Sequence, residues 1–162
     1  TDLIQKHIYN LASPSVNMEQ HLFDVLKVMD ENGLSLVPVI NDNQEYVGSI
    51  SNKKILYTIA QSVSVQSVGS VIVLEIHEKD YNMSEVCRII ESNNAKILSS
   101  YITSVPDSTK LELTIKVNKI DIRDVINDLE RFEYKLMASF SESADHPNLL
   151  DRFEGLMRFL NP

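Results

Sequence analysis

Residues 34–51 read LSLVPVINDNQEYVGSIS, two short apolar runs separated by a polar cluster. Leu34 to Ile40 is too short for a helix, and Pro38 within it points to a buried strand near a sheet edge, because proline cannot donate to a ladder. Asn41, Asp42, Asn43 and Gln44 tolerate tight backbone geometry and predict a turn. Tyr46 to Ile50 then predicts the following strand. Upstream, Leu22, Val25, Leu26 and Met29 fall on one apolar stripe and predict a helix over about Met18 to Asn32, with Asn17 capping its start and Gly33 its end. Downstream, Ser51 caps a helix whose core face is Ile55, Leu56, Ile59 and Ala60. The unit reads helix, strand, strand, helix.

From Gln61 to Ser70 the chain is rich in Ser, Val and Gln and loses its helical period, which marks a connector. Val71 to Ile76 predicts a strand, and Met83, Val86, Cys87 and Ile90 predict one face of a helix over Met83 to Ser92, capped by Asn82 with Glu85 three residues on. Ile97 to Ser104 is strand-like. After the turn at Pro106, Asp107 and Ser108, Leu111, Leu113, Ile115 and Val117 alternate with Glu112, Thr114 and Lys116, which predicts a hairpin with one wet face. Ile122, Val125, Ile126 and Leu129 predict another helix, and Tyr134 to Phe140 a last strand. The order βαββαβ is the split-βαβ or ferredoxin-like pattern. A tail over Asn148 to Leu160 carries Leu149, Phe153, Leu156, Met157 and Leu160 on one stripe, a helix that needs its own domain or a dimer partner to cover it.

Composition narrows the classes. With 43% hydrophobic and 23% charged residues among 162, the chain has the balance of a globular protein. A formal net charge of -8 and scattered basic residues argue against nucleic acid as a partner. No run approaches a membrane span and no signal peptide is visible, so the expected compartment is cytoplasmic. The chain begins at Thr1 rather than Met, which points to a fragment or a processed product. Cys87 lacks an internal disulfide partner and fits a small buried thiol better than a catalytic one, having no cation placed to lower its pKa.

Two segments carry a family resemblance. Ser35 to Ile40 resembles the apolar strand with a Pro-Val step of a cystathionine β-synthase (CBS) motif, and Tyr46 to Ser51 resembles that motif's Gly-apolar-apolar-Ser/Thr strand end. The resemblance spans about Ala12 to Gln61. It implies pairing of motifs and an adenine nucleotide in the cleft between paired sheets, so Val37, Pro38, Gly48, Ser51 and Lys54 become candidate ligand contacts. Gly48 permits close backbone approach, and Ser51 offers a hydroxyl with the amides of a helix N-terminus, unless it serves only as the cap. Lys54 departs from the family, which usually places there an Asp that accepts from ribose hydroxyls; a lysine donates only and suits a phosphate or carboxylate instead. Thr1 to Ile4, with Asp2, resembles the end of an upstream CBS motif, so the chain is expected to lack its first motif.

The second unit resembles an ACT domain over about Gly69 to Phe140, by its element order and by Ser84 to Ile90 after the first strand. That family binds amino acids in the loop between first strand and first helix, at an interface between two domains, which makes Asp80, Asn82 and Met83 candidates. The family's Pro-Gly is absent here, and Met83 is expected to project into or beside the ligand space; turn and cap roles compete for Asp80 and Asn82. Together the two parts resemble bacterial CBS-ACT proteins of the acetoin-utilisation B type.

The expected fold is thus α+β: a remnant or linker over 1–11, a CBS motif over 12–61, a linker over 62–69, a ferredoxin-like ACT-like domain over 70–140, and a C-terminal loop and amphipathic helix over 141–162. The expected function is non-catalytic regulation by a small-molecule ligand, an adenine nucleotide or an amino acid, at domain or dimer interfaces of a homodimer. The alternative is a structural dimerisation module with vestigial clefts. Neither a catalytic nor a metal constellation is expected: His7, His21, His77 and His146 are isolated, Asp121, Asp124 and Asp128 with Asp145 and Asp151 read as solvated carboxylates, and four glycines are too few for an enzyme-type phosphate loop. Tyr9, Tyr57 and Tyr101 read as partly buried amphipathic side chains.

Overall fold

The computed structural model describes residues 14–141 and Met157. The chain divides into two compact units, Thr1–Ser62 and Val63–Pro162, and each has its own sheet and core. The expectations for Thr1 to Ile4, for the segment to residue 11, and for His7, Tyr9, Asp145, His146 and Asp151 lie outside the described residues. Of the predicted tail helix only Met157 is described, and it is helical.

In the first unit the elements are β1 (Val16–Asn17), α1 (Leu22–Asn32), β2 (Leu36–Ile40), β3 (Tyr46–Ser51) and α2 (Asn52–Ala60). The sheet order is β1-β2-β3, with β1 parallel and β3 antiparallel to β2. Val37, which alternation turns to the helix side of β2, is buried with Val16, Val25, Met29 and Ile55. The short strand β1 had no signal in a two-residue stretch. Helix α1 starts at Leu22 rather than Met18, because His21 and not Asn17 caps it: His21 Nδ1 accepts from the Phe23 amide at 3.2 Å, and Asp24 accepts from the His21 amide at 3.0 Å. Gly33 ends α1 as expected, in the left-handed region at φ 61. On α2 only Ile55 is buried, while Leu56 is 70% exposed. Of the expected four-residue core face, Ile55 alone is buried.

In the second unit the elements are α3 (Val63–Gln66), β4 (Ser70–His77), a 3-10 turn (Glu78–Asp80), α4 (Met83–Ser92), β5 (Ile97–Ser104), β6 (Lys110–Val117), α5 (Arg123–Arg131) and β7 (Lys135–Ser141). The sheet order is β5-β6-β4-β7 and every neighbouring pair is antiparallel. Helix α4 thus joins strands separated by β6, and α5 joins strands separated by β4, an arrangement compatible with the expected βαββαβ pattern. One face of the sheet, carrying Ile72, Leu74 and Ile76 of β4 and Leu113, Ile115 and Val117 of β6, packs with Val86, Ile89 and Ile90 of α4 and Val125 and Leu129 of α5.

Four expectations change. Thr114, expected on a wet face, is buried, as is Val73, its partner across β4 and β6. The expected linker contains the short helix α3, and Gly69 within it is buried. Cys87 is half-buried while its neighbour Ile89 enters the core, and Tyr101 and Tyr57 are more than half exposed rather than partly buried.

Glu75 on β4 holds two lysines: Lys110 Nζ donates at 2.8 Å and Lys135 Nζ at 3.0 Å to the same carboxylate oxygen. The hydrogen bond from Lys110, then that from Lys135, outweigh desolvation and hold the Glu75 carboxyl below its ordinary value. A lowered folded pKa means that the unfolded chain takes up the proton first. The contribution is therefore complete above the unfolded glutamate value of about 4.3 and is lost as pH falls through the lower folded value. Denaturant midpoints should fall faster for the native chain than for Glu75→Gln between about pH 5 and about pH 3. Parallel curves would show that the two lysines contribute nothing through this carboxylate.

Candidate ligand sites

The strand β3 positions two of the first unit's predicted residues, and its two-residue period separates them. Gly48 pairs with Val39 and shares the helix-side face with Val37, whereas Ser51 pairs with Leu36 and shares the opposite face with Pro38. Val37 is fully buried and packs in the core of this unit. A Cβ built on Gly48 meets nothing within 4 Å. Among the described residues nothing requires glycine there, and the backbone is open to close approach by another molecule.

Ser51 caps α2, its Oγ accepting from the Lys54 amide at 3.3 Å, and the Asn52 amide donates to the Ser35 carbonyl at 3.0 Å. Two amides of this helix start are thereby satisfied inside the chain, and the anion site expected at Ser51 is correspondingly reduced. The Ser51 hydroxyl keeps its own proton for donation. Lys54 is exposed, with its ammonium 5.5 Å from the centre of the Tyr57 ring. A groove of about 420 Å³ in this unit is lined instead by residues such as Leu26, Asp30, Gly33, Ser35 and Asn52. None of the five predicted contacts borders it. Asp30, on the last turn of α1, is brought beside Ser35 and Asn52 only by folding.

In the second unit the loop after β4 opens on a cavity of about 360 Å³, bordered by Glu75, His77, Asp80, Glu85, Tyr134 and Lys135 among others. Of the three residues predicted for this loop, Asp80 lines the cavity. Asn82 is the cap of α4, its Oδ1 accepting from the Glu85 amide at 3.3 Å. Met83 packs against the core and does not line the cavity, so the expected obstruction by its side chain is absent. The reason lies in its position on the first turn of an amphipathic helix, whose apolar stripe turns Met83 toward the sheet.

Glu85 was expected to complete a capping box; its carboxylate instead accepts from the Tyr134 hydroxyl at 2.9 Å, with Arg88 at 3.8 Å. Burial first, and then the bond to Glu85, push the Tyr134 hydroxyl up to about 12, so it remains a protonated donor near neutrality. Glu133, which also borders the cavity, adopts φ 66 where the chain leaves α5 for β7. The carboxylates of Asp80, Glu85 and Glu133 outnumber the cation of Lys135, which is already held by Glu75. The cavity therefore favours an ammonium over a phosphate. Sequence reading missed Glu75, His77, Glu85 and Tyr134; a charge inside the apolar β4 run was the one available signal.

A third cavity, of about 420 Å³, lies beside Ile120, Ile122 and Ile126, where Arg123 closes on Asp121 at 2.6 Å and holds that carboxyl at about 2. Among the described residues, no cluster of His, Cys, Asp and Glu is arranged to hold a metal ion, and no helix is long and apolar enough to cross a membrane.

Comparison with known families finds a CBS domain at residues 5–61. Domains of this family commonly act as regulatory modules that bind small ligands such as adenine nucleotides, pair up in dimers, and are generally not catalytic. No curated protein matches the chain.

Proposed function

We propose that this chain is a non-catalytic regulatory protein that binds a small metabolite and works as a homodimer. The CBS domain at residues 5–61 supports the regulatory class. The observation that carries the ligand reading is the acidic cavity at the end of β4, reached from the Asp80 loop. The second unit is read as ACT-like on its element order, and an amino acid is the ligand that suits this cavity: its ammonium meets Asp80 and Glu85, and its side chain meets Ile76 and Phe132. An adenine nucleotide is the ligand proposed for the CBS domain, in the groove where Asp30 supplies a carboxylate acceptor of the kind Lys54 lacks. Binding that differs between two arrangements of the dimer shifts their populations, and this is the regulatory step.

Calorimetric titration with panels of amino acids and adenine nucleotides tests both sites. Amino-acid binding is expected to weaken about tenfold or more in Asp80→Asn, and nucleotide binding in Asp30→Asn, each of which removes a carboxylate from its cavity. A ligand bound only by the native state also raises the melting temperature. Silence in both panels would overturn the receptor reading in favour of a structural dimerisation module with vestigial clefts. That second reading has its own support in the satisfied Asn52 amide, the capping role of Ser51 and the capping role of Asn82.

A further inference from the structure

The helices α4 and α5 pack on one face of the second unit's sheet, and the opposite face carries Val71 and Val73 of β4, Thr114 of β6, Tyr101 of β5, and Ala138 and Phe140 of β7. At the centre of that face Val73 is 2% exposed and Thr114 6%, yet Val73 belongs to neither of the two hydrophobic cores. Side chains stand roughly perpendicular to a sheet, so neighbours on the same face do not close over the tip of a valine. Helix α3 lies beside the edge strand β5, but its Val63 and Val65 are more than half exposed and supply no apolar cover. The Thr114 hydroxyl is sealed from solvent and makes no hydrogen bond. A sealed hydroxyl without a partner marks a cover that is apolar where it meets the sheet.

We infer that the chain's own C-terminal segment, residues 148–160, docks as a helix across this face and sets its apolar stripe of Leu149, Phe153, Leu156 and Leu160 over Val73 and Thr114. The place where the strand ends favours this occupant. β7 ends at Ser141 beside β4, and residues 142–147 lead from it to the segment. Six extended residues reach about 20 Å, whereas four strands measure about 14 Å across, so the whole face lies within the tether. A helix over residues 148–160 is about 20 Å long and spans the four strands. Each residue of a helix turns by about 100°, which puts Phe153 and Leu160 at the middle of the stripe and Met157 at its margin. Met157 is helical and 40% exposed, the partial cover expected of a margin position. The tether also gives the segment an effective concentration that a second copy lacks. Docking uses neither ligand site and is tested apart from the titrations above.

In the full chain with Cys87→Ala, Val73→Cys is expected to resist a soluble thiol reagent, and the same variant ending at residue 147 to react about tenfold faster or more. Phe153→Asp, which sets a carboxylate in the stripe of the intact chain, is expected to open the same thiol to the reagent. Val86→Cys, buried under α4 on the other face, is the control: its continued protection separates an opened face from an unfolded unit. Where shortening exposes Val86→Cys as well, Phe153→Asp in the intact chain decides. Rapid reaction of Val73→Cys in the intact chain, or protection that survives both changes, would overturn the inference and leave the cover to another surface. Mixing the shortened Val73→Cys chain with an excess of intact Cys87→Ala chain is expected to leave the thiol reactive. Protection restored by mixing would overturn docking within one chain in favour of segments exchanged between copies.

Discussion

Gly69→Ala is expected to destabilise the second unit by about 3 kcal/mol or more. A Cβ at this position stands 1.9 Å from the carbonyl oxygen of Val117, 3.0 Å from its carbonyl carbon and 3.2 Å from the Cα of Asn118. All three are backbone atoms, so no side chain can rotate away to make room. Relief requires β4 and β6 to separate where Ser70 pairs with Val117, at the start of the central strand pair. That shift would also pull Ser70 Oγ from the Ile120 carbonyl, to which it donates at 2.8 Å. Chemical denaturation read by circular dichroism measures the effect. A midpoint within experimental error of the native value would mean that the β4 entry is far more pliable than its packing indicates. Gly48→Ala is the internal contrast, since its added methyl meets nothing among the described residues and its cost should stay within about 0.5 kcal/mol.

Leu74→Ala should cost about 3 kcal/mol, within the range for burying a large aliphatic side chain and then leaving its space empty. Leu74 is completely buried on the central strand, with β6 and β7 on its two sides and α4 and α5 packed on its face. Several rigid elements meet there, so collapse into the vacated space is limited and the cavity contribution remains. Leu36 in the first unit has the same side chain but is 52% exposed, and Leu36→Ala should change stability by no more than about 0.5 kcal/mol. Equal losses for the two substitutions would show that Leu36 is covered in solution by another surface.

The second unit is largely legible in its sequence. Strict alternation from Leu111 to Val117 sets the face of β6, and the apolar stripe of α4 together with Asn82 sets that helix from Met83 to Ser92. The misreadings share a cause, which is that each local preference had two satisfactory outcomes. Asn17 and His21 both suit a helix start, and it is the turn before α1 that hands the cap to His21 while Asn17 extends β1. Thr114 alternates as a wet residue does, yet burial of the second face beside Val73 is a matter of what packs over the sheet. Met83 reads as an obstacle in the ligand loop until the rotation of α4 turns it into the core.

The candidate sites were less legible than the fold. Asp80 could be placed because it follows a strand directly, but its partners across the cavity come from residues 132–135, which enter through the β4 and β7 pairing. By itself the sequence determined the α+β class, the hydrophobic faces of the second unit, and the turn and cap chemistry of Gly33, Ser51 and Asn82, because these depend on period and on neighbours a few residues away. Only the tertiary structure decided that Val37 is core, that Gly48 and Ser51 lie on opposite faces of β3, and that Tyr134 donates to Glu85. Those facts depend on strand order and register, and register brings together side chains that no short-range pattern connects.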